Sequence, residues 1–159
     1  MKPRVYIETT IIGYLASRPQ RDIVIAGHQQ VTHEWWDTQR QDYDLCTSEL
    51  VIDEISAGDP VAAGERLLFV SALSILEIKP QATVLAKTLL SQGALPSNAA
   101  ADALHIAIAA THAIPFLLTW NCRHIANAIM RPVIESVCKK AGLQAPILCT
   151  PEELMETQS

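Results

Sequence analysis

Hydrophobic and polar positions follow two different spacings along the chain, and the two spacings predict strands separated by helices. Short runs of β-branched and other apolar residues predict five strands, at 4–8, 43–47, 74–78, 115–119 and 147–150. Apolar residues at helical spacing, together with start and stop signals, predict helices at 21–40, 48–57, 60–69, 80–92, 97–112 and 132–141. Strands that alternate with helices indicate an α/β fold with a mostly parallel sheet.

Length and composition narrow the class of protein further. The chain has 159 residues, of which 49% are hydrophobic and 18% are charged, and this length fits a single domain over residues 1–159. The longest weakly charged stretch is interrupted by Gly93, Pro96 and Pro115, so no membrane span is predicted. Glu8 interrupts the first apolar run, so no signal sequence is predicted either. We therefore expect a cytoplasmic protein.

Charge and cysteine content add two expectations. The net charge of −5 argues against a general coat for nucleic acid, although basic residues are concentrated between positions 123 and 140. The four cysteines form no C-x-x-C pair, which disfavours a zinc or redox motif and favours buried, reduced thiols.

Glu54 lies on the apolar face of the predicted helix 48–57. At about 100° per residue, Leu50, Val51 and Ile55 define that face, and Glu54 falls within it. A half-buried carboxylate is costly unless it is paired or binds a cation. Glu54 is therefore a candidate metal ligand, and a structural pairing with a lysine or arginine is the alternative.

Asp102 is the only charged side chain between Lys87 and Arg123. Its predicted helix, 97–112, is apolar nearly all round, which is typical of a buried helix. A carboxylate in that position indicates either a functional site or a structural pairing, for example with His105 or with a capped loop.

Two further polar residues follow predicted strands. Glu8 ends the first strand, and Asn121 comes shortly after the fourth. In open parallel sheets, ligands bind beyond the carboxyl ends of the strands. Glu8, Glu54 and Asp102 together would supply three oxygen ligands for Mg²⁺ or Mn²⁺, and Asn121 would add an amide oxygen. A metal ion held there could stabilise charge on a phosphodiester during hydrolysis.

The ordered set of these motifs resembles the PIN-domain family. The closer similarity is to bacterial VapC-type toxins of type II toxin–antitoxin systems, and it covers nearly the whole chain. The motifs are the acid and two threonines after the first strand (Glu8-Thr9-Thr10), the helix Ser48–Ile55, the D-A-L-H-I-A run Asp102–Ala107 and the L-L-T-W-N-C-R-H run Leu117–His124.

This resemblance implies a three-layer α/β/α fold with a five-stranded parallel sheet. It also implies an Mg²⁺-dependent endoribonuclease that is dimeric and is neutralised by a cognate antitoxin. By resemblance, Glu8, Glu54 and Asp102 correspond to the metal-binding acids, and Thr10, with Thr9, supplies the hydroxyl that steadies them. Asn121 falls on the fourth position of the acidic cluster.

Neighbouring residues suggest how substrate and partners would bind. Arg123 and His124 follow Asn121 and could contact phosphate oxygens, with a plain surface loop as the alternative. Trp35 and Trp36 are adjacent on one helix, so we expect one of them to mark an exposed apolar patch for a dimer partner or antitoxin, with a partly buried position under a loop as the alternative.

Two departures from the family pattern leave a second function open. The first acid is usually Asp and is Glu8 here, and the fourth position, often acidic, is Asn121. The alternative function is a catalytically weakened PIN-like module that acts by binding RNA or a protein partner. A small-molecule hydrolase is disfavoured because the chain has no G-x-S-x-G motif and no glycine-rich phosphate loop.

Overall fold

The computed structural model describes residues 1–156, and each of its first four strands is followed by one or two α-helices. The strands are β1 (Arg4–Ile7), β2 (Asp44–Ser48), β3 (Ser74–Leu76), β4 (Phe116–Leu118) and β5 (Ile147–Cys149). The helices are α1 (Thr9–Ala16), α2 (Ile23–Thr38), α3 (Glu49–Ile55), α4 (Pro60–Val70), α5 (Pro80–Ser91), α6 (Ala100–Thr111) and α7 (Arg131–Lys140). The last three positions of the predicted domain, 157–159, lie outside the described residues.

The five strands form one parallel sheet in the order β3-β2-β1-β4-β5. Three consecutive residues of the central strand, Val5, Tyr6 and Ile7, are completely buried. Because consecutive residues of a strand point to opposite faces, helices must cover both faces of the sheet. The predicted three-layer α/β/α fold is confirmed.

All five predicted strands and all six predicted helices are present, with ends that differ by a few residues. The helix expected from residue 97 begins only at Ala100, and no side chain caps it. One helix, α1, was not predicted. Only Glu8 separates it from β1, and the Glu8 carboxylate caps it by accepting a hydrogen bond from the Thr10 N–H. That cap turns the chain from strand to helix within one residue.

The expectation that one of the two adjacent tryptophans is exposed was wrong. Trp35 is fully buried and Trp36 nearly so. Trp35 stacks on Tyr43 at 5.8 Å, whereas Trp36 meets Phe69 of α4 edge-on. Helix α2 is therefore covered on two adjacent sides, which gives each indole its own packing partners.

Three of the four cysteines are buried and Cys122 is exposed, and all four are free. The prediction of buried thiols is thus correct for three and wrong for Cys122, which lies in the loop after β4 rather than on an element. Within residues 1–156, no helix is long and apolar enough to cross a membrane.

Candidate active site

Glu8 lies at the carboxyl end of the central strand, where its side chain is buried yet held by hydroxyl groups. Its Oε2 accepts hydrogen bonds from Thr10 N at 2.9 Å, Thr10 Oγ1 at 2.7 Å and Thr119 Oγ1 at 3.1 Å. Its Oε1 accepts no hydrogen bond from residues 1–156 and keeps access to solvent. The predicted steadying role of the Thr10 hydroxyl therefore has a direct contact behind it.

Burial raises the pKa of the Glu8 carboxyl above its usual range. The charge of His105 and the hydrogen bonds from Thr10 and Thr119 oppose that rise without cancelling it. A buried carboxyl with a raised pKa at the end of a parallel strand is typical of a functional position rather than of a solvated loop.

Glu54 comes from the last turn of α3 and is half-buried, as the apolar face predicted. Its Oε1 accepts a hydrogen bond from Thr9 Oγ1 at 2.7 Å and lies 2.6 Å from His105 Nε2. Burial acts to raise the pKa of Glu54, but His105 and Thr9 outweigh it and the pKa is lowered. Glu54 Oε2 accepts no hydrogen bond from residues 1–156 and remains a free ligand atom.

The sequence suggested a lysine or arginine as the structural partner of Glu54, and His105 as a structural partner of Asp102, and neither pairing is present among residues 1–156. His105 contacts Glu54 instead of Asp102. His105 and Asp102 lie three residues apart on α6, but their side chains reach different neighbours. The other ring nitrogen of His105, Nδ1, lies 2.7 Å from Tyr6 Oη, and Tyr6 Oη lies 2.7 Å from Ser48 Oγ.

Asp102 lies in the first turn of α6 and contacts the loop after β4. Its Oδ1 accepts a hydrogen bond from Asn121 Nδ2 at 2.9 Å, and its Oδ2 lies 2.8 Å from His124 Nδ1. Asn121 Oδ1 accepts a hydrogen bond from the His124 backbone N–H at 3.0 Å. Asp102 is therefore satisfied by both Asn121 and His124, and the amide oxygen of Asn121 already has a donor.

Thr119, which the sequence did not single out, joins the first acid to the third. Its Oγ1 donates to Glu8 Oε2 and accepts a hydrogen bond from Asn121 N at 2.9 Å. Since Asn121 also donates to Asp102, one continuous network runs from Glu8 to Asp102. Its position was a usable signal: Thr119 ends a predicted strand two residues before Asn121, at the carboxyl end of the sheet where Glu8 lies.

The two predicted phosphate-binding residues lie in different environments. Arg123 is exposed, and its side chain makes no hydrogen bond or ion pair with residues 1–156. His124 is mostly buried and commits Nδ1 to Asp102. Arg123 is thus available to a ligand, whereas His124 also has a structural partner.

The carboxylate oxygens of the three acids are the type of ligand atom that a hard divalent cation prefers. Glu8 and Glu54 each hold one carboxylate oxygen in hydrogen bonds and leave the other free, an arrangement that orients metal ligands in many proteins. Residues 1–156 nevertheless contain no group of three His, Cys, Asp or Glu side chains placed to hold one ion together. The donor chemistry fits Mg²⁺ or Mn²⁺, whereas a three-acid cluster is not formed in this arrangement.

Thr119→Val tests the central link of the network. Valine has the same shape but leaves Glu8 without one donor and Asn121 N without its acceptor. We expect the free energy of unfolding to fall by about 1–3 kcal/mol, measured by denaturant unfolding.

Thr38→Val is the matched control, since Thr38 is exposed on α2 and its hydroxyl has only local contacts, with the Glu34 carbonyl and the Gln39 side chain. We expect that variant to stay within about 0.5 kcal/mol of wild type. A loss for Thr119→Val no larger than for the control would contradict the linking role.

Comparison with known proteins identifies the family. The PIN domain model matches residues 5–126, which include Glu8, Glu54, Asp102 and Asn121. The chain therefore belongs to the PIN domain family, as the order of its motifs predicted.

A solved structure shares the fold. The chain is similar to a chain in the crystal structure of VapBC2 from Rickettsia felis. In that structure VapBC2 is bound to a DNA fragment from its promoter. The two chains share 16% sequence identity with a TM-score of 0.59, and the match covers 92% of this chain and 98% of the other. No curated protein sequence matches the chain.

Proposed function

We propose that this PIN domain is a VapC-type endoribonuclease that uses Mg²⁺ or Mn²⁺ to cleave RNA phosphodiester bonds. The observation that carries the proposal concerns Glu8 and Glu54, near the carboxyl end of the sheet. In each of them hydrogen bonds hold one carboxylate oxygen and leave the other free. Family membership supports the nuclease class. The RNA substrate and the metal ion are the proposed parts.

Glu8 and Glu54, each with one free oxygen, would hold the ion, and Asp102 would join them if its contacts with Asn121 and His124 rearranged. A divalent cation supplies Lewis-acid stabilisation for the charge that develops on a phosphodiester and activates a water molecule. Thr10 and Thr119 fix the Glu8 carboxylate, and Asn121 orients Asp102.

The proposed substrate contact is Arg123, in the loop after β4. Arg123 is exposed two residues after Asn121, where a guanidinium can bind phosphate oxygens with two parallel hydrogen bonds. His124 would keep Asp102 in place with Nδ1 and present the rest of its ring to substrate.

Partners and location are proposed by likeness to the Rickettsia felis protein. That structure is described as VapBC2 bound to promoter DNA, and we propose that this chain likewise pairs with a cognate antitoxin. The homodimer, the cytoplasmic location and the single domain over 1–159 stay predictions.

Removal of divalent metal tests the function directly. The purified chain, freed of any antitoxin, is incubated with RNA in the presence of Mn²⁺ or Mg²⁺, and again with an excess of chelator. We expect cleavage with metal and none with chelator, since carboxylates carry negative charge and cannot replace a cation in stabilising the charge that develops on a phosphodiester. Cleavage that continues in chelator, or no cleavage with either metal, would contradict a metal-dependent ribonuclease.

One observation favours the alternative of a weakened, binding-only module. Glu54 and Asp102 each have a histidine partner, and no three-acid group forms within residues 1–156. A binding module would retain RNA or protein binding without divalent metal, so binding measured in chelator separates the two functions.

A further inference from the structure

A chain of hydrogen bonds runs from the protein core to Glu54. Ser48 Oγ lies 2.7 Å from Tyr6 Oη, and Tyr6 Oη lies 2.7 Å from His105 Nδ1. His105 Nε2 completes the chain at 2.6 Å from Glu54 Oε1. Ser48 and Tyr6 are fully buried and His105 is 1% exposed, so only the Glu54 end of this chain reaches the site.

The direction of the chain follows from its chemistry. An ionised Glu54 offers only acceptors, so His105 Nε2 carries the hydrogen between them. When the imidazole is uncharged, its Nδ1 is then bare, and the Tyr6 hydroxyl is the donor within reach. Ser48 donates to Tyr6 Oη while its own oxygen caps α3 by accepting from Val51 N. This one direction satisfies every donor and acceptor in the chain.

We propose that Tyr6 is a positioning residue for Glu54. Its hydroxyl anchors His105 through Nδ1, and the anchored imidazole holds Glu54 Oε1 through Nε2–H, which leaves Oε2 for a ligand. Partners of this kind behind a metal ligand fix its orientation. The proposal rests on the proposed function only where Oε2 is taken to bind a divalent ion.

Packing alone offers a competing explanation of the same contact. The Tyr6 ring meets the His105 ring edge-on, with centroids 5.9 Å apart. If ring packing held His105, the hydroxyl would be dispensable. Tyr6→Phe separates the two because it keeps the ring and removes only the hydroxyl.

The experiment compares wild type, Tyr6→Phe and Tyr43→Phe as the matched control. Tyr43 precedes β2, at the end of the strand away from Ser48, and its hydroxyl makes no hydrogen bond with residues 1–156. The first measurement is the ¹⁵N and ¹H spectrum of the His105 ring above neutral pH without metal. The second is a Mn²⁺ titration followed by paramagnetic broadening of signals near the site.

We expect wild type and Tyr43→Phe to show an Nε2–H proton protected from exchange and a hydrogen-bonded, unprotonated Nδ1. Tyr6→Phe should lose that protection and weaken Mn²⁺ binding by about tenfold, the low end of the cost of losing an outer partner of a metal ligand, because His105 itself remains. Unchanged ring signals in Tyr6→Phe would overturn the proposal.

The spectrum of the His105 ring in wild type needs no variant, so the proposal stays testable even if Tyr6→Phe does not fold. A wild-type His105 protonated at Nδ1 instead of Nε2 overturns the anchoring direction. If wild type binds no Mn²⁺ and cleaves no RNA, the proposed function fails, and the His105 signals still decide whether Tyr6 positions Glu54.

Discussion

Asp102→Asn is expected to reduce metal-dependent RNA cleavage by at least about a hundredfold. Losing a residue that only supports a metal ligand usually costs about 10–100-fold, and the loss of a proposed ligand should cost more. The asparagine oxygen can still accept the hydrogen bond from Asn121, so the loop after β4 keeps its anchor. The variant loses the negative charge at the third acidic position, together with the carboxylate oxygen that lies against His124 Nδ1. The measurement is the initial cleavage rate of a defined RNA with Mn²⁺ or Mg²⁺.

Asp53→Asn is the matched control for this change. Asp53 is an exposed acid on α3, next to Glu54 in sequence, and the same substitution there removes one charge outside the network. We expect Asp53→Asn to cleave at the wild-type rate. If Asp102→Asn also cleaves at that rate while remaining folded, the assignment of Asp102 fails. Unchanged RNA binding with no cleavage by any of the three proteins would favour the binding module.

Trp35→Ala is expected to lower the free energy of unfolding by about 3–5 kcal/mol, the range typical of a large aromatic removed from a core. Trp35 is fully buried, stacks on Tyr43, and donates through Nε1 to the Leu154 carbonyl at 3.3 Å. The loss is large relative to the roughly 5–15 kcal/mol that stabilises a typical domain. Denaturant unfolding followed by far-ultraviolet circular dichroism measures it.

Ile23→Ala on the same helix is the control. Ile23 is 87% exposed, so removing its side chain leaves no cavity. We expect a change within about 0.5 kcal/mol. Equal losses for the two variants would mean that α2 is not packed in solution as the structure describes.

The strands and most helices could be predicted because their signals are local. An apolar run that forms a strand, or an apolar stripe that forms a helix, is visible within ten to fifteen consecutive positions. Helix α1 was not predicted because its N-cap residue, Glu8, is also the last residue of the predicted strand. One residue therefore carries both the strand-end signal and the helix-start signal. The burial of both Trp35 and Trp36 escaped because it depends on packing partners far away in sequence, Phe69 for Trp36 and Leu154 for Trp35.

The candidate site also has a part that could be predicted from the sequence and a part that could not. Glu54 and Asp102 were visible from the sequence because a carboxylate on an apolar face is costly at any place in any fold. Their partners were not visible, because Glu54 and His105 are 51 positions apart and meet only when α3 and α6 pack at the same end of the sheet. Thr119 joins Glu8 across 111 positions by the same route.

By itself, the sequence determined the order of the strands and of every helix except α1, the α/β class and three candidate acidic positions, because each is a property of composition and spacing. Only the tertiary structure decided which hydrogen-bond partner each acid has and which of its oxygens stays free. Those choices depend on side-chain directions across elements that contact each other only after the sheet has formed, and no local pattern encodes them.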